Sequence, residues 1–393
     1  MLYLFGFGFP SDFSSSYYWR LSESLLRFRT LGFEGVPSTA FELLYPFFLA
    51  VARRIAFDQF PLVILFQSAF CSVGCIFFFR LCRWLTSCER VAWIGALLFC
   101  FHPYLIRQSS VLIEVSVFTT FLILFSYFLS KAESARGFIG SGILLGLNVL
   151  TRAAILPLEV FVTLILFLRR RFIQALLLAA SSFLVVLPFS LRNYLLDGSW
   201  ILTRSGANLF EGNCRFSDQF LPRYSLDLLG PYAGQILSRE APNLRAAGSR
   251  EQDQFFTRKA FQFMRTHPWR TLRLKLLNVI YLFHPRVVPF YPFDDKIRVS
   301  FTDTSFHVEN LPSRPRAAEW IHTFYSSGVL FTAVIGIFLR RKEISKDWVL
   351  YSVMLSFVVV YSLYWPATRL RAPMDFILLF YSSVALNQWL PRA

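Results

Sequence analysis

Glu114 stands four residues into the apolar stretch 111–130, and an ionised carboxylate in a membrane-spanning helix is costly: about 2.5–3.5 kcal/mol for Asp at a helix centre on insertion scales. The cost is smaller near a helix end, but the position still calls for a partner. Either Glu114 pairs structurally with Arg107 or Arg152, or it is held there to move a proton. Arg152, Arg192, Arg369 and Arg371 fall at the ends of apolar stretches on one side of the chain's alternating pattern. The planar fork of arginine matches two oxygens of a phosphate, so as a group they suit a lipid-borne anion. Taken singly, each is equally explained as an arginine snorkelling to the headgroup layer. Lys275, in the amphipathic run from Leu272 to Phe283, is a further candidate cation, with a plain interfacial role as the alternative. His267 and the other four histidines are assigned nothing.

These residues need a scaffold, and composition says which. Hydrophobic residues make up 55% of the 393, charged ones only 16%, and mean hydropathy is +0.48. A globular chain carries about 25% charged residues, so a soluble domain is excluded. Crossing a bilayer takes roughly 17–25 apolar residues. Candidate spans are 61–79, 91–106, 111–130, 137–151, 153–168, 172–190, 321–339, 347–365 and 373–390. The expected architecture is an all-α polytopic membrane protein: a first loop over 1–60, a six-span bundle over 61–190, a large polar loop over 191–320, and three closing spans over 321–393.

The net charge of +16 (40 Lys and Arg less 24 Asp and Glu) does not signal nucleic acid, because its distribution follows the spans. One set of connections holds Arg80, Arg83, Arg90, Lys131, Arg136, Arg169 to Arg171, Arg340 to Lys342, Lys346 and Arg392, and the opposite short connections hold Arg107, Arg152, Arg369 and Arg371. That asymmetry marks the first set as cytoplasmic and places 1–60 and 191–320 outside. Met1–Pro10 is apolar but too short to span, and it lacks the basic flank of a signal peptide. An external start with nine spans leads us to expect a further span upstream, about ten in all. The six cysteines show no metal-binding spacing and read as small apolar fillers. Between Asp12 and Phe57, leucines 21, 25, 26 and 31 recur at roughly helical spacing, as expected of an interfacial segment.

No glycine-rich phosphate loop, HExxH, GxSxG or cytoplasmic DxD occurs. An activated donor would then arrive through the membrane, and no metal or cofactor is expected. Several segments, in order, carry a resemblance. They include Tyr18-Trp19-Arg20-Leu21-Ser22-Glu23-Ser24-Leu25-Leu26, Pro37-Ser38-Thr39-Ala40 and Leu44-Tyr45-Pro46-Phe47-Phe48-Leu49-Ala50. Pro103-Tyr104-Leu105-Ile106 follows, with Leu112-Ile113-Glu114, Leu145-Gly146-Leu147, Leu150-Thr151-Arg152 and Pro188-Phe189-Ser190-Leu191-Arg192-Asn193-Tyr194. Beyond these stand Gly206-Ala207-Asn208, Glu211-Gly212-Asn213, the series Glu251, Asp253, Ala260, His267-Pro268 and Lys275, and Thr368-Arg369-Leu370-Arg371-Ala372-Pro373. Over some 360 residues the chain resembles the GT-C class of polytopic glycosyltransferases, in particular bacterial relatives of the protein O-mannosyltransferases and the lipid A aminoarabinose transferases.

The resemblance implies an inverting transferase that takes a sugar from a polyprenyl phosphate and passes it to a lipid, glycan or protein acceptor. The site would face the external side of a bacterial inner membrane. It implies that a carboxylate in the first external loop is the general base, which points to Asp12, although the family's spacing falls nearer Ser14 and Ser15. A solvated or helix-capping Asp12 is the alternative. The resemblance also assigns an acid at Glu114 and substrate contacts at Arg152, Arg192, Asn193, Lys275, Arg369 and Arg371. Where the family has an arginine before Leu-Tyr-Pro, Phe41-Glu42-Leu43 stands here. Two other functions remain open at this point: a non-catalytic relative acting as scaffold or subunit, and a transporter of a lipid-linked sugar, against which the absence of internal repeats argues.

Overall fold

The computed structural model describes residues 13–200, 204–244, 249–291, 296–302, 305–311 and 316–389. Asp12 lies outside them. The described residues are all-α apart from two short antiparallel hairpins. Helix α1 spans Phe13–Phe28, and a hairpin of β1 (Gly32–Phe33) and β2 (Val36–Pro37) leads to α2, Leu44–Ile55. The apolar bundle is α3 (Phe60–Thr86), α4 (Glu89–Cys100), α5 (Pro103–Ser109), α6 (Val115–Ser130), α7 (Ala135–Thr151), α8 (Leu156–Leu168) and α9 (Phe172–Asp197). The polar region folds into α10 (Ser205–Glu211), α11 (Ser217–Phe220), α12 (Gly230–Glu240), α13 (Arg250–Thr266) and α14 (Pro268–Leu282), with β3 (Arg298–Phe301) paired to β4 (Phe306–Glu309). The chain returns to the bundle in α15 (Arg316–Leu339), α16 (Trp348–Leu363), α17 (Thr368–Arg371) and α18 (Asp375–Trp389).

Among the described residues, three helices are long and apolar enough to cross a membrane: Phe60–Thr86, Phe172–Asp197 and Ala317–Leu339. Four shorter apolar helices accompany them, Val115–Ser130, Ala135–Thr151, Ala153–Leu168 and Trp348–Leu363. Expected span 91–106 is broken: α4 ends at Cys100, and Pro103, which has no N–H to continue the helix, opens α5 instead. Expected span 373–390 is helical as α18, but its residues from Asp375 to Ala385 are all buried. It packs against α4 and α15 and has little outward-facing surface.

Close packing of helices needs small residues where backbones meet. A Cβ on Gly142 would stand 2.0 Å from Ser181 Oγ and 2.3 Å from Leu178 O, and one on Gly146 would stand 2.8 Å from Ser182 O. The two glycines, one helical turn apart, let α7 lie directly on α9. Of the six cysteines, Cys75 and Cys100 bring their sulfurs to 3.3 Å between α3 and α4.

At one end of the bundle a closed ion pair ties the connection between α15 and α16. Arg340 donates to both oxygens of Asp347 at 2.8 and 2.6 Å and to Leu85 O at 3.2 Å, and the Tyr381 hydroxyl adds a bond to Asp347 at 3.2 Å. The opposite end carries the first loop, the polar region and the remaining chemistry.

Candidate functional site

The first loop is fixed before it can present anything. Arg192, near the end of α9, donates to Ser38 O at 2.9 Å, to Leu31 O at 2.9 Å and to Asn193 Oδ1 at 2.8 Å. Thr39 donates to Asp197 at 2.6 Å. Arg192 thus clamps the segment that carries Glu42, with Asn193 accepting from it.

Lys275 is likewise bonded within the protein. It donates to Asn213 Oδ1 and, at 2.6 Å, to Leu363 O, while Asn213 and Asn278 donate to Leu363 O and Ser362 O at 2.9 and 3.0 Å. The last carbonyls of a helix have no partner within it and carry its negative dipole end, so a lysine and two asparagines finish α16. Burial pushes the Lys275 ammonium down to about 8. Arg371, only 2% exposed, donates to Asp375 at 2.9 Å, to His284 O at 3.0 Å and to Leu282 O at 3.2 Å. It joins α18 to the end of α14.

Glu114, Arg152 and Arg369 do come together. Glu114 precedes α6, Arg152 follows α7, and the Arg152 guanidinium donates to Glu114 at 2.8 Å. Their side chains are 11% and 16% exposed. Arg369, on α17, donates to Asp227 at 2.9 Å, and Ser225 donates to the same carboxylate oxygen at 2.9 Å. The two pairs share one field, for Arg369 also faces Glu114 and Arg152.

Around them stand groups that the sequence did not single out. Glu42 faces Arg152, Glu114 and Arg204. Tyr18 lies against Glu114, and Tyr17 beside Arg204 and Glu42. Arg204, just before α10, also faces Glu211 and Asp227. Tyr361 of α16 closes the ring next to Arg152. The Asp253 carboxylate accepts the Gly206 N–H at 2.6 Å and so caps α10 from α13. At the other end of that helix a Cβ on Gly212 would stand 2.0 Å from Tyr364 O. Both ends of the helix flanked by Arg204 and Glu211 are therefore pinned.

The outcome is a charged cluster that includes two ion pairs. It keeps contact with water: the Arg369 side chain is 37% exposed and Asp227 21%. Glu42 and Glu211 accept no hydrogen bond from another described side chain. Burial raises the Glu42 carboxyl, which its own backbone N–H, Arg152 and Arg204 partly offset. Burial raises Glu211 further, to about 8, with Asp227 adding to the rise and Arg204 and Arg369 opposing it. Glu42 and Glu211 left a trace in the sequence, acids flanked by Phe41 and Leu43 or following Leu209-Phe210. Arg204 left none, in a loop where arginines are common.

No family model matches the chain, and no curated protein matches it. One solved structure does. It is ArnT from Cupriavidus metallidurans in the apo state, 12% identical, with a TM-score of 0.39, covering 95% of this chain and 73% of that one.

Proposed function

We propose that the chain is an integral membrane glycosyltransferase of GT-C type. It would move a sugar from a polyprenyl phosphate to a hydroxyl-bearing acceptor (lipid, glycan or protein) at the external face of a bacterial inner membrane. One observation carries this reading: Arg152, Arg204 and Arg369 cluster electrostatically with Glu42, Glu114, Glu211 and Asp227 beside an apolar bundle. A phosphate on a membrane-borne chain meets cations there without leaving the bilayer surface, and an acceptor hydroxyl meets carboxylates.

In this reading the acceptor O–H gives its proton to a carboxylate as its oxygen bonds to the anomeric carbon. The bond from that carbon to the phosphate oxygen breaks, the electron pair stays on the oxygen, and polyprenyl phosphate leaves. Glu114 already holds Arg152, whereas the Glu42 carboxyl accepts only its own backbone N–H; these two are the candidate bases within the described residues, and Asp12 is a third candidate outside them. A base whose pKa lies nearer the working pH transfers protons more effectively, and positioned bases are worth about 10²–10⁴ in rate. Guanidiniums aimed at the departing phosphate stabilise charge as it develops. Arg192, Asn193, Lys275 and Arg371 serve by holding the walls.

The test is transfer of radiolabelled sugar in membranes containing the chain, with a panel of polyprenyl-phosphate sugars and with Glu42→Gln and Glu114→Gln in parallel. Label reaching an acceptor with the native chain, and lost in at least one variant, supports the reading. A native chain that consumes no donor removes it in favour of a scaffold.

A further inference from the structure

Two thiols meet on the outer face of the bundle. Cys75, on α3, and Cys100, the last residue of α4, bring their sulfurs to 3.3 Å, and the Cys75 thiol points toward Ala96 O at 3.9 Å. Helix register sets the contact. The two helices are joined by Ser87 and Cys88 alone, so they run antiparallel as a hairpin. Cys75 stands eleven residues before Thr86, where α3 ends, and Cys100 eleven residues after Glu89, where α4 begins. The same pairing brings the rings of Phe79 and Trp93 to 4.8 Å. Gly95 keeps the helices close, for a Cβ there would stand 3.2 Å from Cys82 Sγ. A disulfide joins sulfurs about 2.05 Å apart, so a small rotation of either side chain closes the bond.

We infer that Cys75 and Cys100 are a redox pair that the protein carries as a disulfide in its membrane, with a lipid-soluble quinone as the oxidant. Each thiol gives up one proton and one electron, and the two sulfurs join. The quinone takes both electrons and both protons and becomes the hydroquinone. Depth selects that class of oxidant. At 1.5 Å per residue the pair lies about 16 Å from the turn between the helices, inside roughly 30 Å of hydrocarbon. The surrounding face is apolar, with Ile76, Leu97 and Phe101 exposed on it. Water-borne thiols and oxidoreductases do not reach such a surface, whereas a quinone diffuses within it.

The bond would act where the chain changes direction. Helix α4 ends at Cys100, and Pro103 opens α5 two residues past the break at Phe101. His102, in that break, meets Asp375 of α18 at 3.3 Å, and Leu98 O accepts the Tyr325 hydroxyl of α15 at 2.5 Å. A covalent tie at Cys100 fixes the point from which α5, and then Glu114, depart. It operates whether or not the chain transfers sugar.

The test starts in cells expressing the full chain. They are quenched in acid, free thiols are capped with N-ethylmaleimide under denaturing conditions, and the purified chain is digested with trypsin without reduction. Cleavage after Arg54, Arg80, Arg90 and Arg107 puts Cys75 in peptide 55–80 and Cys100 in peptide 91–107. We expect the two peptides joined, and separated by tributylphosphine. Peptide 55–80 also holds Cys71, so the link should survive in Cys71→Ser and vanish in Cys75→Ser and Cys100→Ser. Chain reduced with the phosphine and returned to liposomes should regain the link when a short-chain ubiquinone is added. One hydroquinone should form per link, and the melting temperature should rise. Should the serine variants fail to fold, fragmentation of the joined peptides from the native chain still locates the bond. Both peptides capped by maleimide in cells, or a link that persists in Cys75→Ser and so belongs to Cys71, overturns the inference. A link present in cells but not formed by quinone in liposomes overturns the quinone as oxidant. Neither result touches the sugar-transfer reading, which the labelled-sugar assay tests by itself.

Discussion

The two ends of the bundle treat charge in opposite ways. At one, Arg340 and Asp347 satisfy each other, with Leu85 O and Tyr381 taking further valences. At the other, Arg152 and Arg369 are each held by one carboxylate, while Glu42 and Glu211 have no side-chain hydrogen-bond partner among the described residues. A charge whose bonds are complete is a fastener. One whose bonds are incomplete inside the fold carries a standing desolvation cost, which a ligand can relieve. The difference separates structure from function better than burial alone does.

Arg340→Met should produce the largest effect, since removing one partner of a buried pair costs about 3–5 kcal/mol. Thermal unfolding in detergent should fall sharply and transfer should vanish with the fold. An unchanged melting curve would erase the contrast between the ends. Next come the carboxylates of the cluster. Glu42→Gln should lower transfer by about 10²–10⁴ if it is the base, with melting unchanged. Glu114→Gln should also loosen the Arg152 wall by about 1–3 kcal/mol, so the melting curve tells the two roles apart.

Arg204→Gln should raise the donor KM by roughly tenfold or more, as expected for loss of a charge-assisted hydrogen bond of about 1.5–3 kcal/mol, with stability held within about 0.5 kcal/mol. Lys275→Met should do the reverse, costing about 1–3 kcal/mol of stability by stripping the end of α16 while leaving KM alone. A KM effect there would move Lys275 from the wall into the site.

A separate effect is on pH dependence without ligand. Glu211 titrates near 4.3 when unfolded and near 8 when folded, so the folded state favours its proton. Its stabilising contribution is complete below about pH 4.3 and is lost as pH rises through 8. Melting temperatures of native chain and Glu211→Gln should converge at low pH and separate, native lower, toward pH 8.

Apolar stretches and alternating arginines made the all-α membrane class readable, because lipid imposes length and composition directly. Glu114, Arg152 and Arg369 were readable for the same reason: charge beside an apolar stretch calls for a partner. Arg192, Lys275 and Arg371 look identical in sequence and differ only in fold, where carbonyls of Leu31, Ser38, Leu282, His284 and Leu363 claim them. Backbone acceptors leave no mark in a residue string. Arg204 and Asp227 sit in the polar region among many similar charges, and only the folded chain sets them apart. The depth of α18 was equally invisible, since an apolar helix in lipid and one within a bundle share a composition.

That depth bears on how the protein is made. At fifteen residues and 1.5 Å per residue, α18 is about 22 Å long, short of the roughly 30 Å of hydrocarbon. It begins with Asp375, already bound to Arg371. Such a segment partitions poorly into lipid alone and gains its environment from helices made before it. Docking of α18 against α4 and α15 is thus itself the step that buries it.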